Sequence, residues 1–191
     1  MNEAELITAA RQGSTTAWET LVSTYQEPVF RLAYLLLGDP DEAQDIAQET
    51  FIHAYYALPR FDAALPLRPW LLRIVSNLTK NRRRSLGRFF AALTRFAREA
   101  QPSQSASPAE NAELLRQAID RLGPPHRQTL YLRYFMEMSE AEMAQTLNIA
   151  AGTVKSRLSR AQHSLRNLIE RDYPDLLPSS GSAPGQGKDK A

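Results

Sequence analysis

Two stretches of the sequence carry basic side chains with no acid among them. Asp and Glu are absent from residues 63–98 and from residues 143–169. The cations of the first stretch are Arg68, Arg73, Lys80, Arg82, Arg83, Arg84, Arg88, Arg95 and Arg98, and those of the second are Lys155, Arg157, Arg160 and Arg166. Clustered positive charge binds polyanions such as the phosphate backbone of a nucleic acid. The pattern therefore predicts two separate contacts with a polyanion.

A stretch of opposite charge precedes the first basic one. Residues 32–59 contain no Lys or Arg, but they contain Asp39, Asp41, Glu42, Asp45 and Glu49. On a helix over 41–58, the periodicity predicts a buried stripe of Ala43, Ile46, Ala47, Phe51, Ala54, Tyr55 and Leu58. The opposite side then presents Asp45, Gln48, Glu49, Ile52 and Tyr56. Acids that flank an exposed Ile and Tyr indicate a protein-binding surface; the alternative is a solvated face with two incidental apolar residues.

Catalytic chemistry has little support in the sequence. Paired carboxylates can act as general acid and base, but no nucleophile or metal-ligand set accompanies them. The chain of 191 residues has no cysteine and three histidines. We therefore expect no enzyme activity, no metal site and no cofactor. The apolar run 32–37 is far shorter than the roughly 20 residues of a membrane span, and no basic-then-apolar leader opens the sequence. We expect no membrane insertion and a cytoplasmic location.

Helical periodicity dominates the chain, and no segment alternates with period two. Helices are predicted over 3–12, 16–37, 41–58 and 69–84, with Gly38 as a C-cap. Residues 100–109 have no charge and no large apolar side chain, which is typical of a flexible linker. The sequence predicts an all-α protein of two small helical domains, 1–99 and 110–172, joined by the linker 100–109. Residues 173–191 are expected to form a disordered tail.

The second domain contains a predicted helix-turn-helix. Ser139 and Glu142 form a capping box, which begins a short helix that ends near Leu147. After a tight turn at 148–149, a second helix runs over 152–169, although Ala150 is a poor cap for it. Its outward face carries Thr153, Lys155, Ser156, Ser159, Arg160 and His163. These side chains suit phosphates and base edges in a major groove; the alternative is an ordinary solvated face.

The helix predicted over 69–84 also has two different sides. Leu71, Ile74, Val75 and Leu78 form its core stripe. Arg73, Asn77, Lys80, Asn81 and Arg84 line the other side. Amides among cations are typical of a nucleic-acid face, because amides can read bases while cations hold phosphates. Trp70 is either a core anchor or a platform on which a base stacks.

Three segments, taken in order, resemble motifs of one known family. Residues 45–51, Asp-Ile-Ala-Gln-Glu-Thr-Phe, resemble the core-polymerase-binding motif of the sigma-70 superfamily. Residues 68–77, Arg-Pro-Trp-Leu-Leu-Arg-Ile-Val-Ser-Asn, resemble its segment that meets the −10 element. Residues 151–158, Ala-Gly-Thr-Val-Lys-Ser-Arg-Leu, resemble its −35 recognition helix. The resemblance covers about residues 1–170 and is to the compact extracytoplasmic-function (ECF) branch.

The resemblance implies an alternative sigma factor that directs core RNA polymerase to promoter DNA. In this family the first domain grips the clamp helices of the largest polymerase subunit and captures a flipped −10 base, near a loop that matches residues 63–68. The implied core-polymerase-binding residues are Asp45, Gln48, Glu49, Ile52 and Tyr56. The implied −10 residues are Arg68, Trp70, Arg73, Asn77, Lys80, Asn81 and Arg84, with Asn77 at the base pocket. The implied −35 residues are Thr153, Lys155, Ser156, Arg157, Ser159, Arg160 and His163.

Such proteins commonly pair with an inhibitory anti-sigma factor, which is a further expected partner. The rival interpretation is a stand-alone helix-turn-helix transcriptional regulator. Such a regulator would use the second basic face, Lys155 to Arg160, but would not need the acidic face around Asp45. The segment 88–98 matches no motif of the family.

Overall fold

The computed structural model describes residues 1–93 and 108–176, with side chains over 1–82, 113–174 and 176. The main helices are α1 (Glu3–Arg11), α2 (Thr15–Leu37), α3 (Pro40–Ala57), α4 (Leu67–Leu93), α5 (Pro108–Asp120), α6 (Pro124–Leu130), α7 (Glu140–Leu147) and α8 (Ala151–Asp172). Short turns of 3-10 helix lie at Leu58–Arg60 and Pro174–Leu176, and a π-helical turn lies at Tyr131–Phe135. Within these ranges there is no strand, and the all-α prediction is confirmed.

Two predicted boundaries need comment. Helix α5 begins at Pro108, so the last two residues of the predicted linker, 108 and 109, are helical. Proline suits the first turn of a helix, where its missing N–H has no partner to lose. Of the predicted disordered tail, Pro174–Leu176 form a turn of 3-10 helix. Linker residues 100–107, tail residues 177–191 and the side chains of 88–98 lie outside the described residues. Helix α4 extends well beyond the predicted end at residue 84.

Local capping explains the starts of α1, α2, α3 and α7 and the end of α2. The side chains of Asn2, Ser14, Asp39 and Ser139 each accept a hydrogen bond from the first turn of the following helix. These bonds satisfy backbone donors that have no partner within the helix. Gly38 ends α2 in the left-handed conformation, with a φ of 80°. The predicted capping box of Ser139 and Glu142 is present.

Helices α1 to α4 form the first domain around one apolar core. Ile7, Leu32, Ile46 and Leu71 are almost completely buried there. The prediction that Tyr55 belongs to the buried stripe of α3 is wrong, because its side chain is 49% exposed. Its ring packs edge-on against Trp18 at the margin of the core, with centroids 5.2 Å apart. Tyr55 therefore lies at the boundary between the buried and exposed sides of α3.

Helices α5 to α8 form the second domain. Its core includes the fully buried side chains of Tyr131, Leu132, Met143 and Val154. The Tyr131 hydroxyl donates to the Asp120 carboxylate across 3.2 Å, which satisfies a polar atom that burial would otherwise penalise. Asn148 adopts the left-handed conformation between α7 and α8, with φ 54° and ψ 51°. This turn sets the crossing of the two helices and forms the predicted helix-turn-helix.

The two domains contact each other through α4 and α7. Four α4 residues, Pro69, Leu72, Ser76 and Thr79, form a second buried stripe that the sequence did not predict. The Thr146 hydroxyl of α7 donates to the carbonyl of Pro69 across 3.3 Å. The Arg68 guanidinium donates to the carbonyl of Met136 across 2.7 Å. Helix α4 is therefore packed on two sides, with one side against its own domain and one against the second domain.

Candidate functional site

The acidic side of α3 faces solvent, as its periodicity predicts. Asp45, Gln48, Ile52 and Tyr56 are exposed, and Glu49 is partly exposed. Ile52 and Tyr56 are 58% and 79% exposed and are four residues apart on α3, so they form an exposed apolar pair on one side of the helix. We call these five residues the acidic face. An apolar pair framed by carboxylates can bury surface against a partner and attract its positive charge at the same time.

The carboxylates of the acidic face have only weak partners within the chain. Asp45 lies 3.8 Å from the guanidinium of Arg82, and Glu49 lies 3.5 Å from the imidazole of His53. Exposed pairs of this kind contribute little to stability. Both carboxylates therefore stay available to a partner.

An aromatic groove adjoins the acidic face. Trp18, Ile52, Tyr55 and Tyr56 line it, together with the turn between α1 and α2. Tyr55 was expected in the core and Trp18 belongs to another helix, so the sequence did not indicate this groove. The apolar surface near Asp45 is consequently wider than the two residues predicted from the α3 periodicity.

The first basic face lies along α4 and divides into two parts. Nearer the start of the helix, Trp70 and Arg73 are half-buried and line a groove whose far wall is Gln145 and Asn148 of the helix-turn-helix. The Trp70 ring packs on Phe61, with centroids 4.6 Å apart. Trp70 is thus both packed and accessible at one edge, so the geometry fits either interpretation of this residue. Arg68 points to Met136 of the second domain.

Further along α4, the amides and Lys80 are exposed. Asn77 and Lys80 line a cavity at the junction of the domains, which Arg157 of α8 also lines. Asn81 is exposed, and the side chain of Arg84 lies outside the described residues. The structure therefore brings Asn77, Lys80 and Arg157 together, although the sequence assigned Arg157 to the other basic face.

The second basic face is the exposed side of α8. Thr153, Lys155, Ser156, Ser159 and Arg160 are all exposed, while Val154 is fully buried beneath them. Arg160 donates to the carbonyl of Ser156 across 3.1 Å and to its hydroxyl across 3.3 Å. These two hydrogen bonds fold the Arg160 side chain back along α8 and hold its guanidinium beside Ser156, one turn earlier in the helix. A pre-positioned cation next to hydroxyl groups can contact a phosphate at a lower entropic cost.

His163 lies apart from that cluster. Its ring nitrogen is 3.2 Å from the amide of Asn167, and it borders a groove that also includes Tyr134. His163 is exposed but sits one turn further along α8 than Arg160. It is therefore at the margin of the second basic face.

Helix α8 begins without a side-chain cap, because residue 150 is alanine. We expect Ala150→Ser to stabilise the protein by about 1 kcal/mol, since a serine hydroxyl would accept from a first-turn N–H. For a chain of this size, that corresponds to a rise in Tm of about 2–4 °C. Thermal denaturation followed by circular dichroism measures the change. The matched control is Ala151→Ser, which lies inside the helix and cannot cap it; an equal rise in both variants would contradict this account.

Neither a metal site nor a membrane span is found in the part of the chain that the structure describes. No three His, Asp or Glu side chains are grouped there so that they could hold an ion. No described helix combines the length and apolar character needed to cross a bilayer.

Comparison with known proteins identifies the family. The model of Sigma-70 region 2 matches residues 21–89, and that of Sigma-70 region 4 matches residues 112–161. The chain is 32% identical to the ECF RNA polymerase sigma factor SigW of Bacillus subtilis, over 85% of this chain and 94% of that protein. It is also 32% identical to the ECF RNA polymerase sigma factor SigL of Mycobacterium tuberculosis, over 86% of this chain and 95% of that one. The chain belongs to the ECF sigma factors.

The structure of this ECF sigma factor also resembles solved relatives. CnrH, solved in complex with the cytosolic domain of CnrY, is 27% identical with a TM-score of 0.68, covering 89% of this chain and 98% of CnrH. RpoE from Bartonella quintana, solved with the anti-sigma factor NepR, shares the fold at 24% identity and a TM-score of 0.64, covering 81% and 97% of the two chains. Because the sigma factor relatives match across both domains, the interpretation as a stand-alone helix-turn-helix regulator is not favoured. The chain is an alternative sigma factor.

Proposed function

We propose that this ECF sigma factor binds core RNA polymerase through the acidic face and reads promoter DNA through its two basic faces. The observation that carries the proposal is that three surfaces of different chemistry lie on three different helices. The acidic face lies on α3, the first basic face on α4 and the second on α8. Each surface therefore has its own proposed partner: one protein and two segments of DNA. Residues 1–99 and 110–172 would serve as the two functional units.

The first basic face is proposed to contact the −10 element. The side chains proposed to contact this element are Arg68, Trp70, Arg73, Asn77, Lys80, Asn81 and Arg84. The exposed amides of Asn77 and Asn81 can both donate and accept hydrogen bonds, which suits the pairing edge of an unpaired base. Lys80 and the arginines can neutralise phosphates. Arg157 would join this group on the geometry of the junction cavity.

The second basic face is proposed to contact the −35 element. Its side chains there are Thr153, Lys155, Ser156, Ser159 and Arg160, with Arg157 and His163 at its margins. These residues occupy the N-terminal half of α8, the part of a recognition helix that enters the major groove.

An inhibitory protein is a further proposed partner. CnrH, a relative of known structure, was solved with the cytosolic domain of CnrY bound to it. The exposed apolar side chains of the acidic face and the aromatic groove offer such a protein a surface to cover. Because polymerase and promoter DNA are its targets, we place the protein in the cytoplasm. Its role is recruitment, which requires no catalytic group of its own.

Reconstituted transcription tests the proposal. Core polymerase with and without this protein would be incubated with fragments of the source genome, and transcripts mapped by their 5′ ends. We expect defined start sites that depend on the protein and need no ATP hydrolysis before strand opening. The absence of any complex with core at micromolar concentration would refute the proposal.

The second basic face can be tested separately by salt dependence. We expect Lys155→Ala and Arg160→Ala each to weaken −35 binding and to reduce the slope of log K against log salt by about 0.9 per lost phosphate contact. Loss of a base contact would instead relax sequence preference by about 1–3 kcal/mol at one position. Fluorescence anisotropy on matched and scrambled DNA distinguishes the two results. The control is Arg171→Ala, which removes one cation from the far end of α8, where it pairs with Asp172.

An unchanged affinity in both variants would remove these two residues from the −35 site. A loss of affinity that follows a loss of helicity would do the same, because it would reflect unfolding. Lys155 and Arg160 are exposed, so we expect neither replacement to alter the circular dichroism spectrum.

A further inference from the structure

Helix α1 contacts both ends of one loop of the first domain. The loop comprises residues 61–66 and connects the 3-10 turn Leu58–Arg60 to α4; we call it the 61–66 loop. Glu3, Ile7 and Arg11 are spaced four residues apart and so lie along one side of α1. Ile7 is fully buried and anchors that side to the core. The two charged residues are about 12 Å apart along the helix axis, at 1.5 Å per residue.

Arg11 holds the upstream end of the loop. Its Nε donates to the carbonyl of Leu58 across 3.0 Å, and its Nη2 donates to the carbonyl of Phe61. One guanidinium therefore bridges the last turn of 3-10 helix and the first residue of the loop. Charge-assisted hydrogen bonds of this forked kind are stronger and more directional than neutral ones.

Glu3 holds the downstream end. Its Oε1 accepts from the backbone N–H of Leu67 across 3.1 Å, and its Oε2 accepts from the hydroxyl of Tyr25. Leu67 is the first residue of α4 and is 1% exposed. Burial of the Tyr25 hydroxyl, and to a smaller extent its hydrogen bond with Glu3, raise the pKa of Tyr25 above its ordinary range, so the hydroxyl remains a donor. Tyr25 thus fixes the carboxylate at the N-terminus of α4, where negative charge is favourable.

Contacts inside the loop are short in range. Asp62 accepts from the N–H of Ala64 across 3.0 Å, and the N–H of Leu65 donates to the carbonyl of Asp62 across 3.0 Å. Phe61 packs on Trp70, whereas Leu65 is 48% exposed. These bonds shape a turn but do not fix its position on the domain. The packing of Phe61 on Trp70 anchors the start of the loop to α4, and α1 additionally holds both of its ends.

We propose that Glu3 and Arg11 are positioning residues for promoter opening, which hold the 61–66 loop where it lines a groove with Trp70 and Arg73 of the first basic face. The inference rests on the proposed function, in which the neighbouring face of α4 reads the −10 element. Neither residue touches DNA in this account. Their role is to hold the loop in one conformation before the base binds. The entropic cost of ordering the loop then does not reduce the binding free energy of the base.

The test uses full-length protein with core polymerase on two kinds of promoter DNA. Permanganate reactivity of −10 thymines measures opening on duplex DNA at equal occupancy. Binding to fork-junction DNA with each of the four bases at successive −10 positions measures base preference. We expect Glu3→Ala and Arg11→Ala each to lower opening and base preference about tenfold, which corresponds to about 1.4 kcal/mol and is close to the lower end of what a hydrogen bond to a charged group contributes. Affinity for core polymerase should be unchanged.

Conservative variants and controls separate positioning from folding. Glu3→Gln keeps one oxygen that can accept from Leu67, so it should recover part of the opening. Tyr25→Phe keeps the ring and removes only the hydroxyl that orients Glu3, and we expect a smaller loss in the same direction. The matched control is Glu5→Gln, which removes the same charge from the same helix while its amide oxygen still accepts from Asn2. For Arg11 the control is Arg31→Ala, which also removes an arginine, but one that forms an exposed pair with the carboxylate of Glu27.

Each outcome has one meaning. Unchanged opening and base preference in both alanine variants would overturn the inference. So would a parallel loss of core binding, helicity and base preference, because that pattern reflects a role in folding alone. If an alanine variant fails to fold, Tyr25→Phe decides between the two. Failure of the unaltered protein to open any promoter with core polymerase would instead count against the proposed function.

Discussion

Replacing Asp45 and Glu49 together by arginine is expected to lower affinity for core RNA polymerase by at least about 100-fold. The reason is that like charges facing each other across an interface cost several kcal/mol, and each factor of ten corresponds to about 1.4 kcal/mol. The fold should tolerate the change, because the two side chains are 68% and 45% exposed and their internal partners are 3.5 Å or more away. Fluorescence titration of labelled protein with core measures the affinity.

The control must change the net charge equally. Glu27→Arg combined with Glu170→Arg also reverses two exposed carboxylates, but on α2 and α8, away from the acidic face. We expect that variant to bind core almost normally. If both double variants lose affinity equally, the acidic face is not the docking site and only overall charge matters. Restoring the affinity of the Asp45 and Glu49 variant by adding salt would indicate a screened, peripheral contact.

The second large effect is expected from Asn77→Ala. We predict about 30-fold slower strand opening with little change in duplex binding, because the amide can form two hydrogen bonds of about 1 kcal/mol each with an unpaired base and about 1.4 kcal/mol corresponds to a factor of ten. Duplex affinity depends mainly on phosphate contacts and should be retained. Asn77 is exposed and has no side-chain hydrogen bond among the described residues, so its truncation should not unfold α4. Permanganate footprinting beside a mobility-shift assay separates the two steps.

Gln26→Ala serves as the control for Asn77, because it truncates an exposed amide on α2. Normal opening by Asn77→Ala at equal promoter occupancy would remove this residue from the base pocket. The assignment of the protein to the ECF sigma factors would be unaffected by that result.

The α3 and α8 faces could be predicted from the sequence because each depends on one helix. On α3, four-residue periodicity separates Ala43 and Ile46 from the exposed Asp45, and the capping of the helix by Asp39 fixes its start. On α8, Val154 faces the core, so Lys155 and Ser156, which follow it in the helix, face solvent. Such arguments need no knowledge of distant residues. They failed for Tyr55, whose exposure is decided by the packing of Trp18 from another helix.

Features that depend on distant contacts could not be predicted. The second buried stripe of α4 includes Ser76 and Thr79, which look like exposed polar positions. Both can be buried because their hydroxyls donate to the carbonyls of Leu72 and Val75 within the same helix, at 2.7 and 2.9 Å. The contacts of Glu3 and Arg11 likewise join residues about 50 or more positions apart. Sequence periodicity carries no information on such pairs.

The hydrogen bond from Arg68 to the carbonyl of Met136 links a proposed −10 residue to the domain that carries the −35 face. While that bond lasts, the same N–H cannot be given to a phosphate. If Arg68 contacts promoter DNA, the DNA would therefore compete for this donor with the second domain of the same molecule. The apparent promoter affinity of the isolated protein is then its intrinsic affinity multiplied by the fraction of molecules in which the domains have parted. Core polymerase, by holding the two domains at the separation of the promoter elements, would raise that fraction and so increase DNA affinity without touching a single base.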